Sequence, residues 1–146
     1  MCAVIVRAVR ESASGFYSPE QIAAWADPVN EQGVRGSIER TFSVVAVVAD
    51  RVVGFANLAG PEVDQLYVDP GMGGRGVARA LYQAVEQEAV ARGLVSLSAT
   101  ASLRAAPVFE RFGFAALERV DRRFNGQSFA VVRMGKQLAA VRETSC

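Results

Sequence analysis

The sequence predicts one α/β domain on a mixed sheet that is mostly antiparallel, with one central parallel pair of strands. Its 146 residues, 51% of them hydrophobic and 21% charged, suit a single hydrophobic core. Asp50-Arg51 and Asn125-Gly126 each separate two apolar runs, which indicates antiparallel hairpins. A helix is predicted between the strands Glu62–Val68 and Leu94–Ala99, and a helical crossover makes the two strands parallel.

The first forty residues are predicted to be helical with one loop. Val4–Ser14 contains no turn residue. A second helix starts at Ser18-Pro19-Glu20-Gln21, where Ser is the N-cap, Pro occupies the first helical position and Gln follows three residues after the cap. Asp27-Pro28 ends it. Residues 29–37 are polar and contain glycine, so we expect a loop there, with a short helical turn leading into Ile38-Glu39-Arg40.

The rest of the chain alternates apolar runs with turn residues. The expected elements are strands Phe42–Ala49, Val52–Leu58 and Glu62–Val68, a helix from Val77 to Gly93, strand Leu94–Ala99, helix Ser102–Phe112, and a hairpin of Ala115–Phe124 with Gln127–Met134. No linker divides the chain, so we treat 1–146 as one domain with a helical region 1–40, a core 42–134 and a tail 135–146.

Composition excludes several classes of function. A formal net charge of +1 gives no electrostatic reason to expect nucleic-acid or membrane-surface binding. The chain has no histidine, which removes Ser-His-Asp and Cys-His catalysis and histidine-containing zinc sites. The two cysteines, Cys2 and Cys146, are too few for a thiolate metal site, so no metal is expected, and they favour a reducing cytoplasmic location.

The most informative segment is Leu66–Leu81, in which an apolar strand, a glycine-rich loop and the start of an amphipathic helix follow one another. This order directs unpaired backbone N–H groups and the positive end of a helix dipole at one point, which suits phosphate groups. The alternative is that the glycines form only a flexible connection between the strand and the helix, without a ligand.

Two nucleotide-binding alternatives fit less well. Gly71, Gly73 and Gly76 match the G-x-G-x-x-G pattern of a Rossmann site, but the next strand ends at Ser98-Ala99-Thr100 without the acidic residue that such a site needs. A kinase-type phosphate loop lacks its Gly-Lys-[Ser/Thr].

Gly73-Gly74-Arg75-Gly76-Val77-Ala78 resembles the acyl-CoA loop of the GNAT N-acetyltransferase superfamily, [Gln/Arg]-x-x-Gly-x-[Gly/Ala]. Leu66–Pro70 and Phe109–Phe114 are similar to the motifs that flank this loop in the family, and the order of elements matches over residues 42–134. Residues 17–26 resemble the small bacterial YafP-like branch.

The sequence departs from the family pattern at several points. Gly73 stands where Gln or Arg is usual, Phe109 where many members have a thiolate-protonating tyrosine, and Ser102 where an Asn often bonds the pantetheine arm. The sequence also predicts no counterpart of the family's N-terminal strand. Its absence makes Phe42–Ala49 an exposed edge, which leaves pairing with a second copy as a homodimer open.

The resemblance implies that acetyl-CoA binds in a V-shaped split between Glu62–Val68 and Leu94–Ala99. The residues expected to contact acetyl-CoA are Leu66, Tyr67, Val68, Gly73, Gly74, Arg75, Gly76, Val77, Ala78, Arg79, Ser102 and Phe109. A backbone N–H near Leu66 stabilises the oxyanion. An amine acceptor, on a small molecule or a protein, then attacks directly.

Without histidine, the base must be a carboxylate acting alone or through water. Glu62 matches the position of a catalytic Glu in several GNAT enzymes, and Asp64 is expected on the same face of a regular strand. Tyr17 and Tyr67 are candidate proton donors, and Tyr67 is expected to pack within its strand. Phe16 and Trp25 are candidates for the acceptor pocket. Two other functions stay open, namely a CoA-binding or sensing module without turnover and an interaction module that dimerises through strand edges.

Overall fold

The computed structural model describes residues 2–12 and 14–138. The helices in this part are α1 (Cys2–Arg7), α2 (Pro19–Ala26), α3 (Glu31–Arg40), α4 (Val77–Ala91) and α5 (Ala106–Arg111). The strands are β1 (Phe42–Val48), β2 (Arg51–Ala59), β3 (Glu62–Val68), β4 (Ser96–Ser102), β5 (Ala115–Phe124) and β6 (Gln127–Gln137). A π-helical turn continues α1 over Ala8–Ser12, and a 3-10 turn spans Pro70–Met72.

The sheet has the predicted architecture. Its six strands lie in the order β1-β2-β3-β4-β6-β5, and β3–β4 is the one parallel neighbour pair in the described chain. The main core lies between the sheet and helices α4 and α5, and it includes Leu81, Val85 and Met134. A second, smaller core around Phe55 joins α1 and α2 to the opposite face. Helices therefore cover both faces of the sheet.

One element prediction was wrong. Residues 31–40, expected to be mostly loop, form the helix α3. The side chain of Asn30 caps this helix by accepting a hydrogen bond from the Gly33 N–H, 2.8 Å away. The cap and the exposed position of the segment allow a helix despite Gly33 and Gly36, because glycine costs only about 1 kcal/mol per helical residue.

Several boundaries also differ from the prediction, including that of the helix expected at Ser102–Phe112, which is observed at Ala106–Arg111. The β1–β2 turn is Ala49-Asp50, both with left-handed φ, so Arg51 already belongs to β2. The fourth strand, expected at Leu94–Ala99, is Ser96–Ser102, because the end of α4 continues through a left-handed Gly93. The segment from 135, assigned to the tail, continues β6 as far as Gln137, where pairing with β4 persists.

The predicted edge strand is present in the described chain. Among residues 2–12 and 14–138, β1 pairs with β2 alone, and its Val45 and Val47 are 46% and 55% exposed. Its pairing with a second copy stays a prediction, which light scattering at increasing protein concentration would test. In the described residues, no helix is both long and apolar enough to cross a membrane. Cys2 is a free thiol, and Cys146 lies outside the described residues.

Gly54 is expected to be essential for the contact between β2 and α4. A Cβ on Gly54 would lie 2.8 Å from Leu81 Cδ1 and 3.2 Å from the Tyr67 carbonyl oxygen. We therefore expect Gly54→Ala to lower the free energy of unfolding by about 1–3 kcal/mol, measured by urea denaturation. Gly33→Ala is the matched control, because it adds a methyl group to an exposed helix and should raise stability by roughly 0.5–1 kcal/mol. Equal effects of the two changes would contradict this packing.

Candidate functional site

The parallel strands β3 and β4 separate almost at once. Glu62 and Ser98 are their only paired residues, and the Ser98 N–H donates to the Pro61 carbonyl over 2.9 Å. On its other side β4 pairs with β6 over seven residues. Within the described residues, the edge of β3 beyond Glu62 therefore has no strand partner on this side, and the sheet opens into a V-shaped cleft.

The cleft has a volume of about 950 Å³ and is lined from both faces of the sheet. On the side of α4 and α5 its walls include Leu66, Val68, Gly74, Gly76, Val77, Ala78, Arg79, Ser102, Arg104 and Phe109. On the side of the N-terminal helices and the terminal hairpin they include Glu11, Phe16, Tyr17, Trp25, Asp64, Arg122, Phe124 and Phe129. One continuous space thus reaches from the glycine loop to the opposite face.

A β-bulge interrupts β3 at Asp64. Asn57 of β2 pairs with Gln65, whereas the next residue, Leu58, pairs with Val63, so Asp64 has no opposite residue. Glu62 and Asp64 were expected on one face of a regular strand, and the strand is not regular. A bulge turns the local backbone and changes the direction of the side chains beside it. It places Asp64 in the cleft wall, while Glu62 lies outside the lining.

The turn before the glycine loop is held by Asp69. Its buried carboxylate accepts a hydrogen bond from the Gly71 N–H at 3.0 Å and pairs with the guanidinium of Arg7. Its carbonyl accepts from the Met72 N–H at 2.8 Å. These bonds fix the 3-10 turn and tie α1 to the start of the loop.

The glycine loop presents backbone N–H groups to the cleft. Gly74 and Gly76 have φ of +76° and +78°, and Gly76 is the N-cap of α4 without a side chain to cap it. The first-turn N–H groups of α4 therefore lack a side-chain acceptor, and they lie at the positive end of a 15-residue helix. Gly73 is extended, with φ of −61°, so its backbone would accept a side chain.

Three arginines add positive charge to the cleft beside this loop. Arg79 comes from the first turn of α4, Arg104 from the turn before α5, and Arg111 from the end of α5. Among residues 2–12 and 14–138, none of the three forms a salt bridge. Helix dipole and arginines together make this end of the cleft suitable for phosphate groups.

The structure brings together nearly all the residues singled out from the sequence. Every candidate lines the cleft except Glu62 and Arg75. Arg75 is exposed in the loop. Phe109 is buried, with its ring 5.1 Å from that of Phe114, and offers no hydroxyl group. Ser102 uses its Oγ to accept a hydrogen bond from the Ala105 N–H at 3.1 Å.

The carboxylates near the bulge influence one another. Partial burial, and secondarily the negative charge of Asp64, raise the pKa of Glu62 above its ordinary value, and Arg122 opposes this. Burial also raises the pKa of Tyr67. A hydrogen bond with Trp25 opposes this shift, and the charge of Asp64 reinforces it. Glu62 is thus a stronger base than a free glutamate.

Several lining residues were missed by the sequence analysis. Arg104 and Phe124 belong to no motif, and Arg111 lies within the Phe109–Phe114 motif but was not expected at the cleft; the fold brings all three to it. Asn57 does not line the cleft but was also missed. It is fully buried in β2, and its side-chain amide donates to Gln65 Oε1 at 3.1 Å. Its Oδ1 lacks a hydrogen-bond partner in the described structure. The sequence signal for Asn57 was a polar residue inside the apolar run Val52–Leu58, which indicates a buried polar group.

Comparison with known proteins agrees with this geometry. Residues 14–138 match the model of the acetyltransferase (GNAT) domain. The chain therefore belongs to the GNAT acetyltransferase family and is an acyltransferase. It is 36% identical over 120 residues to the uncharacterized N-acetyltransferase YafP of Escherichia coli K12, covering 82% of this chain and 75% of YafP.

Solved structures show the same fold. A GCN5-related N-acetyltransferase from Rhodopseudomonas palustris superposes with a TM-score of 0.89 at 34% identity, over 94% of this chain and 87% of that one. The PaiA N-acetyltransferase of Thermoplasma acidophilum, solved with coenzyme A, gives a TM-score of 0.75 at 16% identity, over 94% and 90% of the two chains.

Tyr17 connects three segments at the wall of the cleft. Its hydroxyl donates to the Ala130 carbonyl at 2.7 Å and accepts from the Leu103 N–H at 3.0 Å. Burial, as the largest influence, raises the pKa of Tyr17. The hydroxyl proton is therefore engaged in a bond to β6 and is held more tightly than in a free tyrosine.

We expect Tyr17→Phe to lower the free energy of unfolding by about 1–3 kcal/mol, because the partly buried Leu103 N–H loses its acceptor. Tyr82→Phe is the matched control, since Tyr82 makes one 3.3 Å bond to the Glu86 side chain. Urea denaturation of both variants checks this, and a Tyr17→Phe loss no larger than that of Tyr82→Phe would refute the anchoring role.

Proposed function

We propose that this chain transfers the acetyl group of acetyl-CoA to a primary amine by direct attack. The parting of β3 and β4 beside the uncapped glycine loop carries the proposal, because it leaves a free strand edge next to a ready phosphate site. Acetyl-CoA supplies an activated thioester. In the reaction a carbon–nitrogen bond forms, the carbon–sulfur bond breaks and the coenzyme leaves as a thiolate.

The phosphate site is proposed at the N-terminus of α4. The N–H groups from Gly74 to Ala78 would hold the pyrophosphate, with Arg79 nearby in the same turn. The free edge of β3 at Leu66 and Val68 would bond the pantetheine amides as an added strand does, and a backbone N–H near Leu66 would stabilise the oxyanion. The residues present fit this ligand.

For proton transfer we propose Glu62 acting through water. Glu62 lies just outside the cleft lining, beside the bulge at Asp64, and its raised pKa favours uptake of a proton from an ammonium group. The leaving thiolate would take its proton from water, because Phe109 has no hydroxyl and that of Tyr17 is bonded to Ala130. Tyr17 stays the alternative donor.

Coenzyme A binding without turnover is the second candidate function. Two of the described residues favour it, since Phe109 stands where the family usually has a tyrosine and the hydroxyl of Tyr17 is engaged with Ala130. Release of free thiol in the presence of amines separates the two functions, because only the transferase produces it.

Gly76→Ala is expected to weaken acetyl-CoA binding at least about tenfold, measured by calorimetry, because the new methyl group would stand in the open space before the loop amides. Gly93→Ala is the matched control at the other end of α4. Gly93 has φ of +76° and equally open surroundings, so both variants should lose similar stability. Unchanged affinity in Gly76→Ala would place the phosphates elsewhere.

Glu62→Gln is expected to lower kcat by about 10²–10⁴ and to remove the acidic limb of the pH–rate profile, since the base must be ionised. In the parent enzyme the rate falls as the pH drops through the raised pKa of Glu62. Asp64→Asn should move this limb to lower pH and Arg122→Gln to higher pH.

The control for this series is Glu118→Gln, which removes an exposed carboxylate that pairs with Arg133 on the hairpin. Its profile should match that of the parent enzyme. A limb that persists in Glu62→Gln would assign the base to another group.

A further inference from the structure

The half of the cleft opposite the glycine loop has its own chemical character. Its walls come from α2, the segment before it and the hairpin β5–β6, and they carry mostly aromatic side chains. Tyr17, Trp25 and Phe129 form a cluster of edge-to-face rings with centroids 5.6–6.1 Å apart. Such a cluster holds its rings in fixed positions, and it forms a rigid apolar wall.

Two further aromatic side chains line the same cleft in exposed positions. Phe16 is 47% exposed and Phe124 is 49% exposed. Neither ring is needed to fill the core. Half-exposed phenylalanines beside a rigid aromatic wall present apolar surface that a bound molecule would remove from water.

The charge in this half is negative. Asp64 lines the cleft, Glu62 is close enough for their charges to interact, and Glu11 adds a third carboxylate from the N-terminal segment. Within the described ranges none of the three forms a salt bridge. Arg122 is the cationic side chain that reaches the Glu62–Asp64 pair. The opposite half, with Arg79, Arg104 and Arg111, is positive.

We propose that the acceptor is a primary amine with an aromatic or comparably bulky apolar body and no carboxylate beside the amine. This rests on the proposed function. The ammonium group would lie at Asp64, and the apolar body would lie against Trp25, Phe124 and Phe129. A carboxylate next to the amine would be repelled by Asp64 and Glu62, and an amine without an apolar body would leave the aromatic wall in water.

The test compares three acceptors by release of free thiol from acetyl-CoA. The probe is 2-phenylethylamine, phenylalanine adds a carboxylate to it, and n-butylamine removes the ring. We expect kcat/KM for 2-phenylethylamine to exceed the other two by about tenfold or more, which corresponds to roughly 1.4 kcal/mol. Equal or faster use of phenylalanine would overturn the proposal, and so would equal use of n-butylamine.

Two variants test the assigned contacts. Asp64→Asn should raise KM for 2-phenylethylamine several-fold and reduce its advantage over phenylalanine, because the repulsion of the carboxylate is lessened. Phe124→Ala should raise KM for 2-phenylethylamine and leave KM for acetyl-CoA unchanged. The control is Val95→Ala, at an exposed position outside the cleft, which should change neither constant. Preferences unaltered by both cleft variants would refute the contacts.

The outcomes separate this inference from the proposed function. If acetyl-CoA binds and a carboxylated amine is the better acceptor, the transferase stands and the acceptor class is wrong. If acetyl-CoA binds by calorimetry and none of the three amines releases thiol, the acceptor class is refuted for these probes while coenzyme binding stands. If acetyl-CoA does not bind, the proposed transferase function and the proposed acceptor class are both wrong.

Discussion

The parting of β3 from β4 is the constraint on which the rest of the site depends. After the pair Glu62–Ser98, each strand is held by its other neighbour, β3 by β2 and β4 by β6. Backbone groups in a sheet interior normally pair with a neighbouring strand, so an unpaired interior edge must face water or a ligand. The sheet remains stable because antiparallel ladders on both sides of the gap replace the missing parallel one.

The N-terminal helices do more than cover one face of this sheet. The ion pair of Arg7 with Asp69 joins α1 to the turn that starts the glycine loop. The hydroxyl of Tyr17 joins the segment before α2 to Leu103 after β4 and to Ala130 on β6. These contacts reach both sides of the gap. Movement of the N-terminal helices would therefore be transmitted to the loop and to the cleft wall.

The two faces of the sheet supply different side chains to one cleft. The α4 and α5 side supplies helix N–H groups and arginines, and the opposite side supplies aromatic rings and the carboxylates at the bulge. Electrostatic interactions are stronger in a partly enclosed space than in open solvent. In the proposed reaction, this separation of charge would orient a phosphate-bearing donor and a cationic acceptor towards each other across the gap.

The order of the strands, the glycine loop and the parallel crossover could be predicted from the sequence, because these depend on local patterns such as Asn125-Gly126 and the apolar stripe of α4. The bulge at Asp64 and the approach of Arg104 and Phe124 to the cleft could not be predicted, because they depend on tertiary structure. The bulge arises from pairing with β2, and the lining residues come from segments far apart in the chain. Such contacts leave no periodic signal in any single segment.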